Sequence, residues 1–140
     1  VTFIVAWKGK IKPGISEALF SQIDLMASFA SLTGQKMPAG AGPDSFDNLP
    51  SLLGKSKKDR IWLVEHSLNG RLSLIKGDWK YIEPGPGNKI LKETNIETGN
   101  DPEPQLYNLS QDIGEKNNVA RENQPVVKEL TDLLNKIRNP

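Results

Sequence analysis

Arg60-Ile61-Trp62-Leu63-Val64-Glu65-His66-Ser67-Leu68-Asn69-Gly70-Arg71-Leu72-Ser73-Leu74-Ile75-Lys76-Gly77-Asp78-Trp79-Lys80-Tyr81-Ile82 is the stretch that decides the fold. Runs of β-branched, aliphatic and aromatic residues at 61–64, 71–75 and 79–82 are separated by Asn69-Gly70 and by Gly77-Asp78. Such side chains suit a pleated, half-buried surface. Asn-Gly readily supplies the two positive-φ positions of a type I′ turn, and Gly-Asp reverses the chain again. The spacing predicts an antiparallel meander.

Toward the C-terminus, 84–104 is rich in Gly, Pro, Asn and Glu and reads as loop, with structure hinted only at Lys89-Ile90-Leu91. Gln105-Leu106-Tyr107-Asn108-Leu109 reads as a further strand. The clearest helix follows. Pro125 suits a first helical turn, where its missing N–H leaves no bond unmade. Val126, Val127, Leu130, Leu133, Leu134 and Ile137 form one apolar stripe at helical period. Lys128/Asp132 and Asp132/Lys136 are opposite charges at i,i+4 spacing. An antiparallel sheet of about four strands with one helix over it is an α+β layer.

Working back toward the N-terminus, Thr2-Phe3-Ile4-Val5-Ala6-Trp7 is apolar on both alternating faces, which suits a strand buried on both sides of a parallel sheet. Ser21-Gln22-Ile23-Asp24 has capping-box spacing; Leu25, Met26, Phe29 and Leu32 follow at helical spacing, and Gly34 stands where a C-terminal cap belongs. Strand and helix together read as a piece of a larger α/β sheet that this chain alone cannot complete. The organisation expected is therefore 1–37 as that piece, 38–59 as a Pro/Gly/Ser/Asp-rich linker, and 60–140 as the small α+β subdomain.

Composition narrows the chemistry. At 140 residues, 36% hydrophobic and 25% charged, with formal net charge +1, the chain reads as a soluble globular piece. Lys55, Lys57, Lys58 and Arg60 form the densest basic group, and they fall in the linker, so they read as solvated loop and not as a nucleic-acid footprint. No cysteine is present, which removes disulfides, thiolate metal sites and a cysteine nucleophile. No apolar run approaches the roughly 20 residues of a membrane span. The first residue is Val1 and no charged leader follows, so the natural N-terminus is expected upstream. There is no Gly-rich phosphate loop, no GxSxG elbow, and one histidine only, so a multi-histidine zinc site is excluded. Asp44, Asp47 and Asn48 read as turn formers before they read as cation ligands. Trp62, Trp79 and Tyr81 admit two readings, a sugar-stacking platform or the core of a small sheet. His66 likewise is either a structural surface residue or a ligand-facing donor at a hairpin end.

The order of four segments carries a family resemblance. Val1-Thr2-Phe3-Ile4-Val5-Ala6-Trp7-Lys8-Gly9-Lys10-Ile11-Lys12-Pro13-Gly14, then Ser21-Gln22-Ile23-Asp24-Leu25-Met26 to Leu32-Thr33-Gly34, come first. Pro43-Asp44-Ser45-Phe46 to Leu52-Leu53-Gly54 follows. Last come His66-Ser67, Gly77-Asp78-Trp79-Lys80-Tyr81-Ile82 and Gln105-Leu106-Tyr107-Asn108-Leu109 with Asp112, Gly114-Glu115 and Asn118. In this order they resemble the C-terminal portion of the formylglycine-dependent sulfatases, the arylsulfatase family of the alkaline-phosphatase-like superfamily. Thr2 and Lys8 stand where members often have proline. The Cys/Ser-x-Pro-Ser-Arg signature is absent, and Asp47-Asn48 does not correspond to the family's calcium-holding Asp-Asn. The resemblance thus implies a sulfate-ester hydrolase acting on aryl or carbohydrate sulfates, with formylglycine and calcium in an N-terminal part and no catalytic or metal residue in this chain. It implies a rim role for this segment, with His66 as substrate-binding residue and Ser67 and Asn69 beside it. A periplasmic or extracellular location, a sulfated substrate as partner, no nucleic acid and no membrane span go with it. Self-association through the orphan N-terminal strand is a further expectation. A stand-alone carbohydrate-binding or structural module is the alternative.

Overall fold

Residues 3–56 and 60–139 are described by a computed structural model. Val1 and Thr2 of the opening run, and Lys57 and Lys58 of the basic group, lie outside the described residues. In chain order the elements are α1 (Asp24–Thr33), α2 (Leu49–Leu52), β1 (Leu63–His66), β2 (Leu72–Lys76), β3 (Trp79–Ile82), β4 (Ile90–Leu91), β5 (Ile96–Glu97), β6 (Gln105–Asn108) and α3 (Gln124–Arg138). They fall into two units, Val1–Ile61 and Trp62–Pro140.

In the second unit β1, β2, β3 and β6 form a four-stranded antiparallel sheet in that order. Register puts Val64, Leu74, Tyr81 and Leu106 side by side in one row. Paired residues share a face, so this row is one apolar band. It meets Val127, Leu130 and Leu134 of α3, and Leu74, Leu106, Leu130 and Leu134 are all at most 2% exposed. Fully burying one such leucine stabilises by roughly 1.5–3 kcal/mol, so this seam is the core of the unit. Trp62 and Trp79 pack against the same core, and Tyr81 lies inside it. They are not a sugar-stacking platform, because their area is spent on the sheet–helix seam. The helix stripe read from the sequence faces the sheet, with Val126, Leu133 and Ile137 at its margin. Lys128 pairs with Asp132 at 2.5 Å. No ion pair joins Asp132 to Lys136, the second i,i+4 pair expected from the sequence.

Two local details depart from expectation. β1 begins at Leu63, two residues later than the apolar run, because pairing with β2 starts at Leu63↔Ile75. The connection is not a type I′ turn. Gly70 N donates to Ser67 O (2.9 Å) and Ser67 N to Arg71 O (2.8 Å), which closes a three-residue loop over 68–70. Only its last residue needs a positive φ, and Gly70 at 76° supplies it without a Cβ clash.

The first unit departs from expectation at its opening run. The run 3–7 has no ladder partner among the described residues and is not a strand. Strand geometry is held by inter-strand bonds; here Phe3 stacks on Phe20 with ring centroids 4.8 Å apart. In α1 the stripe of Met26, Phe29 and Leu32 is exposed, and the buried residues are Asp24 and Ser28. Asp24 is the reason. Its carboxylate accepts from Ser21 N, Phe46 N, Asn48 Nδ2 and Arg60 Nη1, all at 2.8–3.0 Å. The box spacing therefore yields only the reach back to Ser21, and the helix opens at Asp24 behind Ile23. Arg60 is closed in by the Phe46 ring, 4.4 Å from its guanidinium carbon, and Nη2 donates to Asp44 O. An ion pair so buried is tolerated only when its remaining polar atoms are bonded, as these are. Asp47 Oδ1 accepts from Leu49 N, and Asn48 bonds Asp24, so this trio makes turns and contacts.

Candidate functional site

The rows of the sheet that alternate with the apolar band point away from α3. Register aligns Glu65, Ser73, Ile82 and Gln105 in one row, and Leu63, Ile75, Lys80 and Tyr107 in the next. Polar side chains share this second face with Leu63, Ile75 and Ile82, so it is more polar than the core face. They floor a cleft of about 650 Å³ walled by the 89–101 segment, the turn at Glu115 and the end of β1.

That wall is stitched locally. β4 pairs with β5 through Ile90↔Glu97 and Leu91↔Ile96. Thr98 Oγ1 donates to Asn88 O at 2.6 Å, Asn100 N donates to Thr98 Oγ1 at 3.1 Å, and Gly85 N to Asp101 O at 2.7 Å. Arg71 ties the wall to the sheet: Nη1 donates to Pro84 O (2.9 Å) and Nε to Asn100 Oδ1 (3.4 Å). A Cβ at Gly85 would sit 1.8 Å from the Arg71 guanidinium, so a larger residue there would push that head group aside.

Electrostatics on the floor are tightly paired. Lys80 Nζ lies 2.8 Å from Glu115 and 3.7 Å from Glu65, and Ser73 Oγ donates to Glu65 Oε2 at 3.3 Å. Tyr107 donates its hydroxyl to Gln105 Oε1 (2.9 Å), while Gln105 Nε2 donates to Gly99 O. Burial pushes the Tyr107 phenol above its ordinary value, and the carboxylates of Glu115, Glu97, Asp101 and Asp112 push the same way. The Asp101 carboxyl is held low by the Lys89 ammonium and by the Glu103 N–H.

His66 and Ser67 line this cleft, whereas Asn69 stands exposed on the hairpin loop and does not. The His66 ring is exposed, with Nδ1 3.1 Å from Ser67 O; the tautomer that donates there leaves Nε2 as the outward acceptor. Ser67 Oγ accepts from Arg71 N. Sequence reading passed over Lys80, Arg71, Gln105, Tyr107 and Glu115. A period-two reading of β2 and β3 would have raised Ser73 and Lys80 as residues opposite the core face. Nothing local marks Glu115. Among the described residues no group of three or more His, Cys, Asp or Glu is placed to hold a metal ion. No helix among them is long and apolar enough to cross a membrane.

No protein-family model matches the chain. It is 49% identical over 138 residues to an N-acetylgalactosamine-6-O-sulfatase of Bacteroides thetaiotaomicron, covering 99% of this chain and 27% of that protein. Arylsulfatase A of Homo sapiens is 30% identical over 126 residues, covering 81% of this chain and 24% of the relative. Among solved structures, a Bacteroides thetaiotaomicron protein labelled 6S-sulf, connected with the metabolism of multiple glycosaminoglycans, superposes with TM-score 0.91 at 48% identity. That match covers 96% of this chain and 28% of the other. The structure of Ps i-CgsB matches at TM-score 0.55 and 20% identity, which speaks to the fold alone. The chain spans about a quarter of the length of the curated relatives it matches. By sequence and by fold, then, the chain is similar along nearly its whole length to the C-terminal part of longer sulfatases.

Proposed function

We propose that this chain serves a sulfate-ester hydrolase as a supporting subdomain and as part of the rim of its substrate cleft. The observation that carries the reading is the 49% identity over 99% of the chain to a sulfatase of carbohydrate, joined to a polar cleft beside His66. In this reading 1–37 belong to the larger α/β body, 38–59 connect, and 60–140 form the small subdomain. The substrate is a sulfated carbohydrate in preference to an aryl sulfate. The cleft offers paired ions, amides and hydroxyls for hydrogen bonds, with Ile82 and Ile90 adding apolar surface beside them.

The resemblance implies formylglycine and calcium for the parent enzyme. The residues of this chain do not fit either group: there is no cysteine and no Cys/Ser-x-Pro-Ser-Arg, and no metal cluster forms among the described residues. No chemical step is assigned to this chain. Its part is to bind and orient. His66, exposed at the cleft edge, presents Nε2 to a sugar hydroxyl; Ser67 supports it, and Asn69 reaches substrate only from the hairpin loop. Exposed Phe3, Ile4 and Trp7 make self-association of the isolated chain a second expectation.

Kinetics of the full-length enzyme with His66→Ala test the reading. On a carbohydrate sulfate, kcat/KM should fall about tenfold, or about 1.4 kcal/mol of transition-state binding. Thermal stability should hold, because an exposed ring supports little of the core. Unchanged kcat/KM, or ready unfolding of the variant, would remove His66 from the substrate rim.

A further inference from the structure

The cleft looks at first like a place for a sulfate, since Arg71, Lys80 and Lys89 all line it. Their charges are spent. Lys80 is bracketed by Glu115 and Glu65, Lys89 is paired with Asp101, and Arg71 lies 3.8 Å from Glu83 and donates to a carbonyl and an amide oxygen. Among the lining residues, three Lys/Arg cations face the four carboxylates of Glu65, Glu97, Asp101 and Glu115, a balance of one negative charge with His66 neutral. An anion entering here would lose its hydration and meet no unpaired cation.

A sugar hydroxyl has the opposite needs. It donates one hydrogen bond and accepts others, and paired ions keep spare lone pairs and N–H donors to offer. Glu115 is the residue that sets this balance. It sits at φ 52°, a left-handed backbone that a residue with a Cβ adopts only where its surroundings hold it. Asp112 does the holding: its carbonyl accepts from Glu115 N, and its Oδ2 accepts from Lys116 N and Asn117 N at 2.8 and 2.7 Å. The turn delivers the Glu115 carboxylate onto the ammonium of Lys80, which is 17% exposed.

We propose that the cleft is a subsite for an uncharged sugar unit neighbouring the sulfated one, and that Glu115 determines this specificity by neutralising Lys80. The proposal rests on the reading of the cleft as substrate rim. It says which part of a substrate the cleft takes: not the sulfate.

The test is direct binding to the 140-residue chain, isotope-labelled and followed by amide shifts of Ser73, Lys80, Gln105 and Tyr107. The probes are lactose, maltose and cellobiose, and separately sodium sulfate at matched ionic strength. At least one disaccharide should shift these amides saturably in the millimolar range, and sulfate should leave them unmoved. Glu115→Gln should bring saturable sulfate binding at Lys80, at least about tenfold tighter than any limit set with the unaltered chain. Saturable sulfate binding at Lys80 in the unaltered chain overturns the proposal, as does failure of all three disaccharides to move the cleft amides. If sugars bind but Glu115→Gln gains no sulfate affinity, the role of Glu115 is overturned. Should that variant not fold, the preference of the unaltered chain decides. No turnover enters the measurement, so its failure leaves the hydrolase reading standing, and inactivity of the full-length enzyme leaves the binding result standing.

Discussion

Tyr107 shows what this fold does to a single side chain. Its ring is buried under the cleft floor, its hydroxyl donates to Gln105, and burial together with four nearby carboxylates disfavours the phenolate. A folded pKa raised above the unfolded one means stability that is complete below the ordinary value of 10.0 and is lost as pH climbs from there through the folded value. Tyr107→Phe should therefore cost about 1 kcal/mol at neutral pH through the lost hydrogen bond, and should flatten the decline above pH 10.0. Urea midpoints of both proteins across that range check it; parallel declines would mean that Tyr107 is not the titrating group. Residues of this kind are half legible in sequence. Lys80 and Ile82 alternate with Tyr81, and that period marks a face. Glu115, 35 residues from Lys80, gains meaning only when the chain closes a turn beside β3.

At the scale of elements, periodicity carried the reading where one face met one partner. α3 and the band of β2, β3 and β6 are such a pair, and Leu130→Ala should cost roughly 2–5 kcal/mol by leaving a cavity in their seam. A loss below about 0.5 kcal/mol in urea unfolding, the usual scale of a surface change, would mean the seam is not the core. α1 was legible as a helix, and its apolar face has no full cover among the described residues. Its apolar stripe is exposed, while Asp24 is bonded by Phe46, Asn48 and Arg60, none of them a helical neighbour. The opening run failed as a strand for a related reason: β-propensity names a candidate, while a ladder needs a partner. Exposed Phe3, Ile4, Trp7 and Phe29 argue for association through this unit. Sedimentation velocity should show concentration-dependent oligomers that diminish when 1–20 are deleted, a cut that spares the Asp24 cluster. A monomer at all concentrations would contradict this.

For the whole molecule, the sequence order of weak segments pointed to the sulfatases, and the fold and the relatives agree. What sequence could not reach was the cleft, because its floor, wall and turn come from segments brought together only by the sheet. In the proposed reading, binding and support lie in this segment and the chemistry of sulfate release lies elsewhere in a longer enzyme. Sulfate release from 6-sulfated N-acetylgalactosamine, measured side by side for the 140-residue chain and for the full-length protein with excess calcium, tests that division most directly. The account predicts steady release by the full-length protein and none by the chain above a heat-treated control. Turnover by the chain that survives repurification, or a full-length protein that releases no sulfate from any ester, would contradict it.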